Sequence, residues 1–151
     1  MDRFKLMEKA NDLFDAHKLR HWRIKLRAYT GHRLGGCNYK LLTIILNDFY
    51  VANNCEEVVV DTLLHEVAHA LTPGHNHDCI WRAMAIQLGC NPDQDWKQGI
   101  IVQPGRYTAI CPTCSAVFYK YRKPKPLVGY YYCPKCGKEH GTLQFRLTET
   151  T

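Results

Sequence analysis

The sequence predicts an α+β fold: a small sheet with an N-terminal helix and a second, motif-bearing helix packed on it, followed by a cysteine-rich β subdomain. Three observations carry that expectation. The hydrophobic period switches along the chain between the helical and the strand value. The pattern His65-Glu66-Val67-Ala68-His69 falls inside a helical stretch, and Cys111, Cys114, Cys133 and Cys136 form two CxxC pairs in the last third. At 151 residues the chain can build one modest core with an appendage, and is too short for two full domains. The expected division is residues 1–98 as core and residues 99–151 as cysteine subdomain.

From Asp2 to about Leu19, Phe4, Met7, Asn11, Phe14 and Lys18 share a stripe, with Leu6 and Leu13 beside it, which predicts a short amphipathic helix. Residues 22–28 alternate apolar and basic side chains, the pattern of a strand with one buried face; Arg23, Lys25 and Arg27 fall on the other. Gly31, Gly35 and Gly36 punctuate a turn, and residues 41–46 form a continuously apolar run expected to be an inner strand. Residues 47–54 read as a connection. From about Glu56 to Leu71 polar residues recur at positions 61, 65 and 69, so a helix is expected despite the β-branched start, stopped by Pro73 and Gly74. A further helix runs from His77 or Asp78 to Leu88, with Trp81, Met84, Ala85 and Leu88 facing a core.

The two CxxC pairs flank a stretch rich in tyrosine and lysine, where Lys123-Pro124-Lys125-Pro126 marks an exposed connection and Leu143, Phe145 and Leu147 alternate in a last strand. Disulfides are formally open to eight cysteines. In a chain without a secretion signal, however, paired CxxC spacing favours tetrahedral thiolate coordination, so Cys111, Cys114, Cys133 and Cys136 are expected to hold one structural Zn2+ in a zinc ribbon. About 40 residues bury too little apolar surface to hold together without that metal. The scattered Cys37, Cys55, Cys79 and Cys90 read as small core residues.

Charge is segregated. Residues 1–35 carry a net +5, residues 36–96 a net −6 and residues 97–151 a net +7. Two basic segments flank an acidic middle, an arrangement that could hold a polyanion at the ends. No run of 18 apolar residues is present, so a membrane span is not expected, and an intracellular setting is.

On a helix, residues i and i+4 project from one face, so His65 and His69 can reach one metal ion while Glu66 approaches a bound water from the side. A Zn2+ there would acidify the water and polarise a carbonyl, with Glu66 as general base. A third ligand should come from His77, fixed by the first turn of the following helix, or from His75. His75 has the spacing of the extended metzincin motif, but Thr72 stands where that motif requires glycine.

With these features in order, the chain resembles the SprT-like zinc metallopeptidases, a family whose Spartan branch acts on DNA–protein crosslinks. The resemblance spans an N-terminal helix, a strand pair around Gly35-Gly36-Cys37 and Ile44-Ile45-Leu46, the helix with His65-Glu66-Val67-Ala68-His69-Ala70-Leu71, then Gly74-His75-Asn76-His77-Asp78-Cys79-Ile80-Trp81, Leu88-Gly89 and the four cysteines. In family members a histidine four residues before an aromatic supplies the third ligand; counted back from Trp81, that is His77. The resemblance therefore implies a catalytic Zn2+ on His65, His69 and His77, Glu66 as general base, and peptide hydrolysis. It further implies protein substrates bound or crosslinked to DNA, with DNA, single-stranded or junction-containing, as partner in cytoplasm or nucleus. The residues expected to touch nucleic acid are Arg23, Lys25, Arg27, Lys120, Arg122, Lys123 and Lys125. Two alternatives stand beside this. One is a nucleic-acid-binding ribbon module whose HExxH zinc is non-catalytic; the other is hydrolysis of a small amide or peptide without nucleic acid.

Overall fold

A computed structural model describes residues 1–29, 33–93, 100–125 and 130–148. The fold is α+β and divides into two compact units, Met1–Val102 and Gln103–Thr151. Gly31 and Pro126, which the sequence reading places in connections, lie outside the described residues.

The first unit opens with α1 (Arg3–Ala16), whose N-cap Asp2 accepts from the amides of Phe4 and Lys5. Its buried stripe is Leu6, Ala10 and Phe14, whereas Phe4 is 86% exposed and Met7 39%. The expected stripe thus shares only Phe14 with the observed one. Ala10, the small residue between Leu6 and Phe14 on that stripe, is fully buried in the core. Strands β1 (Arg23–Arg27), β2 (Gly35–Asn38) and β3 (Thr43–Asn47) form one sheet in the order β1-β3-β2, with β1 parallel and β2 antiparallel to β3. The apolar run is the central strand, as expected, though Leu41 and Leu42 belong to the preceding turn. Gly35 and Gly36, read as turn residues, instead start β2.

Ile24 and Leu26 pair in register with Ile44 and Leu46 and face the same side, into a core completed by Leu6, Phe14, Tyr50, Val59, Leu63 and Val67. Residues 48–53 form a short helix, α2 (Asp48–Asn53), where a connection was expected. Asn47 caps it while its side-chain amide donates to the Arg33 carbonyl, so this helix depends on a buried polar residue fixed by a distant loop. Helix α3 (Glu56–Leu71) lies over β2 and β3. The β-branched residues at its start do not prevent it, because burial of Val59, Leu63 and Val67 outweighs a propensity deficit of a few tenths of a kcal/mol each. Helix α4 (Cys79–Gln87) packs on α3 through Trp81 and Ala85, with Asp78 as N-cap.

The second unit is a three-stranded antiparallel sheet ordered β5-β4-β6, from β4 (Tyr107–Ile110), β5 (Val117–Lys120) and β6 (Arg146–Leu147), with a one-turn helix, α5 (Gly137–His140). Its buried cluster is Ala109, Cys111, Cys133 and Leu143, flanked by Phe118, Tyr131 and Phe145. The expected alternation in the last strand holds for Leu143 and Phe145 and fails at Leu147, which is exposed on a two-residue strand.

Candidate metal centres and cleft

His65 and His69 stand one turn apart on α3, on a cleft shared with Gly36 and Cys37 of β2, and His77 joins them from the segment before α4. His77 adopts φ +57°, a left-handed backbone that L side chains seldom take, so the loop is shaped to bring this imidazole in. Its Nε2 lies 3.1 Å from Nε2 of His69 and 3.1 Å from Nε2 of His65. Three nitrogens on a tetrahedral zinc are about 3.3 Å apart, given Zn–N bonds of roughly 2.0–2.1 Å. The donor set therefore fits zinc. Burial, then the neighbouring His69 and His77, holds His65 down to about 4, and burial followed by His77 lowers His69, so both imidazoles keep the lone pair a metal requires.

Under the triad lies Trp81, 1% exposed, its ring 4.7, 5.2 and 4.4 Å from the rings of His65, His69 and His77. In the sequence Trp81 served as a core residue and as the aromatic that located His77; the structure adds that it is the common support of all three rings.

Glu66 is 7% exposed and packs against the first residue of β2. A Cβ on Gly35 would stand 2.9 Å from Glu66 Oε1 and 2.8 Å from Leu46 Cδ2, so only glycine leaves the carboxylate its place. Burial pushes the Glu66 carboxyl up to about 7, partly offset by the Arg33 guanidinium. The open cleft above these groups is lined by Cys37, Tyr39, His65, Glu66, His69, His75 and His77 among others. The Tyr39 hydroxyl donates to the His69 carbonyl at 2.9 Å. Cys37 is half-buried, and burial together with Glu66 pushes its thiol up to about 12. His75 stands apart from the triangle, with Nδ1 2.7 Å from Asp78 Oδ2. Asp78 also accepts from the amides of Ile80 and Trp81, so one carboxylate both caps α4 and holds His75.

Cys111, Cys114, Cys133 and Cys136 come together in the second unit, their sulfurs within 4.8 Å of one another. Cys114 Sγ and Cys133 Sγ are 3.7 Å apart, close to the roughly 3.8 Å edge of a tetrahedron with Zn–S bonds of about 2.3 Å. Amides of Cys114 and Thr113 pull the Cys111 thiol down to about 7, toward the thiolate a metal needs. Gly141 abuts Cys133 and Cys136, where a Cβ would come within 2.9 and 3.0 Å of theirs.

Of the residues expected to meet nucleic acid, Arg23, Lys25 and Arg27 are exposed on one face of β1. In the second unit Lys120 Nζ lies 4.2 Å from the Tyr131 ring centre and Lys125 Nζ 5.3 Å from that of Tyr130, while Arg122 and Lys123 are exposed. No local pattern marks Tyr29, whose ring lies beneath Arg27 and Arg33 at 5.8 and 4.9 Å.

An α+β scaffold carrying an HExxH helix, with a third histidine closing the triangle, defines a zinc metallopeptidase. A family model described as the SprT-like family matches residues 4–100, and the chain belongs to that family. Among solved structures it is similar to the metallopeptidase zymogen jannalysin of Methanocaldococcus jannaschii, at 19% identity and a TM-score of 0.49, over 58% of this chain and 82% of that one. No curated protein matches the chain.

Proposed function

We propose that this chain is an endopeptidase that cleaves proteins bound or crosslinked to DNA, built from a peptidase core in residues 1–98 and a zinc ribbon in residues 99–151. The observation that carries the reading is the buried Glu66 carboxylate beside the His65, His69 and His77 nitrogens. Zinc held by those nitrogens would acidify a water and polarise the scissile carbonyl. Glu66 takes the proton of the attacking water and returns it to the departing amine. His65 and His69, one helical turn apart, share the rigidity of α3, and Trp81 keeps the three rings from rotating away. Cys111, Cys114, Cys133 and Cys136 hold a structural zinc.

The DNA part of the proposal is supported by the basic ends of the chain and by the family. Arg23, Lys25 and Arg27 offer a phosphate-spaced row, and Lys120, Arg122, Lys123 and Lys125 offer charge beside tyrosines. An intracellular, DNA-associated setting goes with that reading. The lysine-on-tyrosine pairs also favour a second reading, a ribbon that binds nucleic acid while the histidine site is non-catalytic.

One experiment separates them: zinc-loaded wild type and Glu66→Gln, each with and without single-stranded DNA, incubated with a DNA-binding protein. The expected outcome is DNA-stimulated cleavage by the wild type and loss of at least about 10²-fold in E66Q at equal zinc content. Full cleavage by metal-loaded E66Q would sink the mechanism, and no cleavage by metal-loaded wild type would favour the binding module.

A further inference from the structure

The hydrolysis proposed above needs one more group, a donor for the negative charge that develops on the scissile carbonyl oxygen. When the water oxygen bonds to the carbonyl carbon, the C=O electron pair moves onto oxygen and the water proton passes to Glu66. As the C–N bond then breaks, the oxygen gives the pair back and the amine takes the proton. A donor aimed at that oxygen acts only in the transition state and raises turnover rather than binding.

Few side chains on the cleft can supply it. The three histidines of the triangle present Nε2 to one another, and Glu66 can only accept when ionised. His75 turns its Nδ1 to Asp78 Oδ2 at 2.7 Å, which ties that ring to the cap of α4 and outside the histidine triangle. The Cys37 thiol is a weak donor. The Asn76 amide makes no hydrogen bond among the described residues and sits exposed on the loop before α4. Tyr39 differs from all of these. Its ring stands edge-on to Trp22 at 6.1 Å, its hydroxyl lies 2.9 Å from the His69 carbonyl, and the residue lines the cleft.

The present acceptor of that hydroxyl is the carbonyl of His69, which also accepts from the Thr72 amide at 3.1 Å. Withdrawing the hydroxyl therefore leaves the carbonyl paired, and the exchange avoids the cost of an orphaned buried acceptor. We propose that the Tyr39 hydroxyl is the oxyanion donor of this cleft, parked on the His69 carbonyl in the free protein and transferred to the substrate oxygen as the tetrahedral adduct forms.

This inference rests on the peptidase reading, and its test keeps the two apart. Tyr39→Phe removes one oxygen from an exposed position. Turnover of a peptide substrate, zinc affinity by chelator competition, and affinity for a phosphinic peptide that mimics the tetrahedral adduct are compared in wild type and Y39F. The expected result is a fall in kcat on the order of 10²-fold with KM and zinc affinity unchanged, and a parallel loss of phosphinic-peptide affinity. Turnover within about twofold of wild type overturns the inference. So does a loss of turnover that tracks weakened zinc binding and is recovered at saturating zinc, since Tyr39 would then only steady His69. A metal-loaded wild type that neither cleaves nor binds the phosphinic peptide overturns the peptidase reading, and this inference with it.

Discussion

Glu66 occupies a pocket whose wall is the missing side chain of Gly35. Gly35→Ala would drive a methyl into Glu66 Oε1 and Leu46 Cδ2, at 2.9 and 2.8 Å. We expect G35A to keep its zinc, lose about 1–3 kcal/mol of stability by overpacking, and lose at least about tenfold in turnover as the carboxylate is displaced. Metal analysis, thermal melts and kcat check the three parts. The same burial has a pH signature in the metal-free protein. Glu66 is raised to about 7 in the fold, against the ordinary 4.5 of a free glutamate, so the folded chain retains a proton that the unfolded chain has lost, and stability falls as pH rises through that window. His65 is depressed to about 4 from 6.5, so its contribution is lost as pH falls from 6.5 to 4. Urea titrations of metal-free E66Q should show the alkaline loss removed, a gain of up to about 3 kcal/mol over wild type at pH 7.5. An unchanged slope between pH 5 and 7.5 would contradict it.

At the scale of elements, α4 is tied to the site by one carboxylate. Asp78 caps the helix that carries Trp81 and holds His75, while its neighbour His77 sits in a left-handed conformation. Asp78→Ala should therefore loosen the His77 segment and weaken zinc binding by about tenfold, measured by competition with a chromogenic chelator. How much could be read in the chain depends on the range of the interaction. His65, Glu66 and His69 are legible because a helix fixes their geometry within five residues, and His77 because Trp81 marks it. Tyr39 and Gly35 are not legible from local pattern. Their roles arise from the pairing of β2 with β3, which sets them against α3, and a strand containing Gly-Gly carries no hydrophobic period to announce itself. For the same reason α2 escaped, since Asn47 caps it only after the Arg33 loop has folded over. The buried stripe of α1 was misplaced because Phe4 and Met7 outrank Ala10 in hydrophobicity while Ala10 is what fits.

For the whole molecule, the two units differ in what holds them. Among the described residues the first has a core cluster of twelve buried side chains, while two of the four buried side chains in the second are cysteines of the metal cluster. Stripping both metals should unfold the ribbon and leave the first unit folded. In methyl NMR, Leu143 and Ala109 should lose dispersion while Leu63 and Val67 keep theirs; collapse of all four together would show that the ribbon metal supports the entire chain. The two metal sites would be hard to follow separately by metal content alone. Trp81 provides the distinction, because its indole touches every imidazole of one site and lies in the unit that lacks the cysteine cluster. Its emission is thus a built-in optical gauge of occupancy at the histidines, quenched by Co2+ or Cu2+ entering there, with Trp81→Phe identifying the signal.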